Sequence, residues 1–72
     1  MIATKMIELM DMSTSQGSKP LAWRVRDKTL SDLRRQSRHT GDVRSRDGRL
    51  TFLDLAIEVG DVRNSLGAEL LT

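Results

Sequence analysis

The side chains able to do chemistry in this 72-residue chain are few and scattered. There is no cysteine, and His39 is the only histidine, so neither a thiol nucleophile nor a Cys/His metal cluster can be assembled. His39 stands beside Thr40 and Gly41, where a polar side chain suits the C-terminal end of a helix. The serines lack a base at a recognisable spacing, and Asp42 with Asp47 supplies too few oxygens for a cation loop. No catalytic residue, metal site or cofactor is expected, and the chain reads as a binding protein, not an enzyme.

Its strongest chemical signal is arginine. The net charge is only +2, yet nine of the twelve Lys and Arg residues lie between Arg24 and Arg49, against four acids. That segment carries +5 and the remainder −3. Eight of its nine basic residues are Arg, whose planar fork suits phosphates and guanine edges, so a polyanion is the natural partner. A merely solvated surface is the bland alternative.

The elements that must position these arginines follow from periodicity. Residues 2–12 space Ile2, Met6, Leu9 and Met10 as a short helix or frayed arm, and Ser13 to Pro20 is a polar, turn-rich linker. Residues 1–20 are therefore expected to be a flexible arm and linker, and 21–72 a single small binding and dimerisation domain. Leu21, Trp23 and Val25 alternate with Ala22, Arg24 and Arg26, which makes a short strand with an arginine-bearing outer face. Trp23 falls on the apolar side and is expected in the core or a dimer contact. Asp27 then opens a basic amphipathic helix carrying Leu30 and Leu33, stopped at Thr40 and Gly41.

The stretch 50–61 reads two ways. Thr51, Asp54, Glu58 and Asp61 form one polar stripe of a helix, while Leu53, Leu55, Ile57 and Val59 share one face of a strand that Asp47 and Gly48 could join in a hairpin to Val43–Arg46. The stripe favours helix, with a break at Gly60 and a last helix from Asp61 carrying Val62, Leu66 and Leu70.

The order strand, basic helix, Thr-Gly stop, loop, apolar helix resembles the ribbon-helix-helix repressors of the Arc, MetJ and CopG type, over Leu21 to about Gly60. WRVRDKTLSDLRRQSRHTG, residues 23–41, looks like the family's strand and first helix, and Phe52, Leu53 and Ala56 are similar to the opening of its second. The loop from Asp42 to Arg49 is longer than the family's turn, and Gln36 and Ser37 stand where apolar residues are common. The resemblance implies a mainly α fold with one short strand, assembled as a ribbon-helix-helix homodimer that binds double-stranded DNA as a transcriptional repressor. Ala22, Arg24 and Arg26 would face bases, and a helix start near Thr51 would hold a phosphate. Arg44, Arg46 and Arg49 would add backbone contacts. Leu21, Trp23, Val25, Leu30, Leu33, Phe52, Leu53 and Ala56 would form the core and dimer contact.

The runner-up is an α+β fold, strand, helix, hairpin and final helix, serving as a small protein-binding module with no nucleic-acid role. A helix-turn-helix over Phe52 to Leu71 ranks third, because Asp61 and Glu69 fall where apolar side chains are needed. RNA binding ranks lower among the nucleic-acid options, since Trp23 and Phe52 are the only aromatics. The acidic C-terminal region is a further possible contact for a protein partner. Lys5, Glu8 and Asp11 interrupt the apolar N-terminus short of a signal core or membrane span, so a cytoplasmic setting without membrane association is expected.

Overall fold

The computed structural model describes residues 2–37 and 43–72. Its elements run α1 (Ile2–Ser15), β1 (Ala22–Val25), α2 (Asp27–Ser37), β2 (Val43–Arg46), β3 (Arg49–Phe52), β4 (Leu55–Val59) and β5 (Ala68–Leu71). The strands form one mixed sheet in the order β2-β3-β4-β1-β5. β1 is parallel to β4, and every other neighbouring pair is antiparallel.

This α+β architecture, two helices and a five-stranded mixed sheet, corrects the mainly α fold with one short strand expected from the sequence. β1 does not await a second chain: it is flanked on one side by β4 and on the other by β5 of its own chain. The stripe that suggested a helix over 50–59 is dispersed. Thr51 and Glu58 lie in strands, Asp54 in a turn and Asp61 in a loop. The last helix is likewise replaced by β5. The runner-up foresaw the class and the hairpin, but it too placed a helix where β5 runs.

Alternation divides the sheet into two faces. Trp23, Val25, Phe52 and Ala68 point to one side, where Met6 of α1 and Leu33 of α2 complete a fully buried core. Burying side chains of this size is the main force holding so short a chain together. Trp23 donates its indole N–H to the Phe52 carbonyl at 3.0 Å and meets the Phe52 ring edge-on, with centroids 5.8 Å apart. That bond satisfies a buried donor and fastens the β2–β3 hairpin to the centre of the sheet.

The helices are fitted to this core by their ends as well as their faces. Of the two readings of the N-terminus, short helix or frayed arm, residues 2–15 form the helix, with Met6 fully buried. Gly17, at φ 81°, ends it with bonds from Gly17 N–H to Thr14 and from Ser18 N–H to Ser13, a pattern that needs a left-handed residue. At its start, the free N–H of Ala3 donates to Gln36 Oε1 of α2 at 3.1 Å. Gln36 thereby caps a neighbouring helix from a position where the resemblance favoured an apolar residue. In α2, Thr29, Leu33 and Ser37 form the buried stripe, and Leu30 is half-buried beside it.

Two tight turns shape the rest. Asp47 and Gly48, and again Leu53 and Asp54, hold positive φ at both central positions, as the favoured two-residue hairpin turns require. Between β4 and β5, Asn64 accepts from Gly67 N–H at 2.7 Å and donates to the Ala68 carbonyl at 2.8 Å. Such local side-chain bonds compete with helix, and they set the loop that feeds β5. Gly67, at φ 77°, lies against Thr29 and Arg26, so a Cβ there would come 2.7 Å from the Arg26 guanidinium.

Candidate nucleic-acid interface

The face of the sheet opposite the helices is covered by no described element. The β2–β3 register, Arg44 opposite Thr51 and Arg46 opposite Arg49, sets all four of these side chains on that outer face. Their strand partners in the alternation, Val43, Ser45, Leu50 and Phe52, point the other way. The hairpin thus presents three exposed arginines within two four-residue strands. Thr51 donates its hydroxyl to the Arg44 carbonyl at 3.4 Å. Among the described residues, no carboxylate forms an ion pair with Arg46 or Arg49.

The same face is built differently two strands away. Arg24 of β1 stands between Glu58 of β4 and Glu69 of β5, its partners in register on either side. Its Nε and Nη2 both reach Glu58 Oε1 at 2.8 Å, and Nη1 reaches Glu69 Oε1 at 3.2 Å. The hydrogen bond and charge of Glu58, with a lesser contribution from Glu69, raise the Arg24 pKa above its ordinary value against the opposing effect of desolvation. The three side chains together carry −1, which repels phosphate.

The site residues expected from sequence are therefore split. Arg24 is on the outer face as alternation requires, but its donors are occupied by carboxylates 34 and 45 residues further along the chain. Arg26 lies just beyond β1, its backbone N–H bonded to the Gly67 carbonyl at 3.0 Å and its side chain 3.5 Å from the Asn64 carbonyl. Ala22 is half-buried between Ala56 and Leu71. These three do not make a base-reading ribbon. Thr51 belongs to β3 and not to a helix start, so the phosphate site expected at a helix N-terminus there is absent. Arg44, Arg46 and Arg49, expected only as accessory contacts, are brought together.

Of the residues expected in core or dimer packing, Trp23, Val25, Leu33 and Phe52 are buried, and Leu30 and Leu53 pack against them in part. Leu21 and Ala56 are exposed. His39, Thr40, Gly41 and Asp42 lie outside the described residues. Among the described residues, no three His, Asp or Glu side chains gather as metal ligands, and no helix is long and apolar enough to cross a membrane.

Comparison with protein-family models, with curated proteins and with solved structures gives no match. The geometry of the chain itself is what supports a functional reading.

Proposed function

We propose that this chain is a small DNA-binding protein, with no enzymatic activity, whose contact is the outer face of the β2–β3 hairpin. The observation that carries this reading is the register that puts Arg44, Arg46 and Arg49 on one exposed surface while Arg24 is held by two carboxylates. An antiparallel two-stranded ribbon fits the major groove of B-DNA, and four residues per strand span about 13 Å, close to the width of that groove. The ribbon here belongs to a single chain, so a homodimer is an optional means of reading two half-sites and not a condition of having a ribbon. Repression would follow from occupancy of an operator, in a cytoplasmic setting where DNA is met.

The reading is tested by anisotropy titration of a labelled duplex over a salt series. Phosphate contacts from Arg46 and Arg49 give a slope of log K against log salt of about −2, and replacing either by alanine reduces its magnitude by about one. An affinity for duplex that is unaffected by replacing Arg46 and Arg49 sinks the proposal.

A further inference from the structure

A second surface lies on the other side of the same hairpin. β2 is hydrogen-bonded to a strand on one side only, because it ends the sheet. Beside it runs a groove of about 990 Å³, walled by Leu30, Arg34 and Arg35 of α2 and by Val43, Ser45 and Leu50 of the hairpin. Ser37 also lines it, and its buried hydroxyl has no hydrogen-bond partner among the described residues. An edge strand with a groove between it and a helix is the geometry into which an extended peptide adds as a further strand.

We infer that this groove takes an acidic, extended peptide segment of a partner protein, added to β2 as a sixth strand. Backbone pairing supplies the attraction common to any strand, and charge selects among strands. Alternate side chains of an added strand would point into the groove, over Leu30 and Leu50 and beside Arg34 and Arg35. The intervening ones would lie on the outer face beside Arg44 and Arg46. Arginines therefore border both faces of the added strand, and Asp27, the one acidic residue lining the groove among the described residues, sits at the far end of α2. The same charges oppose pairing of β2 with β2 of a second copy, which would bring Arg44 and Arg46 of each chain together. A peptide with Glu at alternate positions sets all its carboxylates on one face, and with that face turned into the groove they meet Arg34 and Arg35.

This inference does not rest on the DNA-binding reading, since Arg34 and Arg35 line the groove and take no part in the outer face, although Arg46 borders both surfaces. The test is anisotropy titration of the full chain with a fluorescein-labelled peptide of alternating Glu and Val. Two control peptides are its Lys-for-Glu counterpart and a version N-methylated at alternate amides, which cannot form the ladder along one edge. The Glu peptide is expected to bind, the other two to bind far more weakly, and R34A/R35A to reduce affinity for the Glu peptide about tenfold, the combined weight of two partly exposed charge contacts. Arg34 and Arg35 are exposed, and circular dichroism verifies that the variant keeps its fold. Equal binding of the N-methylated peptide would reduce the effect to bulk charge and overturn strand addition. Failure of the Glu peptide to bind, or indifference to R34A/R35A, overturns the site itself. R34A/R35A binding the duplex as tightly as the unaltered chain while losing the Glu peptide separates the two surfaces.

Discussion

On one sheet face, the β2–β3 hairpin and the β4-β1-β5 strands both carry arginine, but among the described residues Arg46 and Arg49 of the hairpin pair with no carboxylate, whereas Arg24 of β1 pairs with two. In the hairpin, the cross-strand neighbours of Arg44, Arg46 and Arg49 are Thr51 and one another. Around β1, register places an acid on each side of Arg24. Like charges facing across a ribbon cost stability, whereas the Glu58-Arg24-Glu69 ladder satisfies its own charges. The first arrangement suits a surface that meets an anion, and the second suits a surface that joins strands.

The most severe way to break this comparison is to remove what joins the two regions. Replacing Trp23 by Ala deletes the core's largest side chain and the bond to Phe52, and is expected to cost about 3–5 kcal/mol. A domain of this length holds only about 4–11 kcal/mol in total, so urea titration should find the variant marginally folded. Gly67→Ala strikes the ladder side alone. The substitution strains a positive φ and crowds Thr29 and Arg26, so a loss of about 1–3 kcal/mol in the same titration is expected, with the folded fraction still binding duplex.

Two changes sharpen the comparison instead. Glu58→Gln with Glu69→Gln releases Arg24 and makes the central strands resemble the hairpin. Duplex affinity should rise several-fold, with the salt slope steeper by about one. Asp54→Gly relieves the left-handed second position of the β3–β4 turn and should raise stability by about 0.5 kcal/mol, read as a small increase in melting temperature, without altering DNA binding.

The sequence made one half of this comparison legible and hid the other. Alternation over Leu21 to Arg26 marked β1 and its outward Arg24, the apolar spacing marked α2, and the Asp47-Gly48 pair offered the hairpin as the alternative to the favoured helix. Nothing local showed that Arg24 is claimed by Glu58 and Glu69, because both acids arrive through long-range strand pairing. The turn at Leu53 and Asp54 was hidden because leucine rarely adopts positive φ. Without that turn, Leu50 to Val59 keeps a helical stripe as good as its strand alternation. Met6 gave no sign that its helix would be fixed, since a short amphipathic segment is marginal until tertiary packing decides it. The mainly α order expected after the first helix gives way to the strands β3, β4 and β5.

The central claim is that the hairpin, and not β1, meets DNA. It is tested most directly by measuring duplex affinity across a salt series for the unaltered chain, for R46A/R49A and for R24A. The account predicts that R46A/R49A loses about two units of salt slope with its fold intact, while R24A binds as tightly as the unaltered chain. The opposite result, with binding lost in R24A and kept in R46A/R49A, would contradict it.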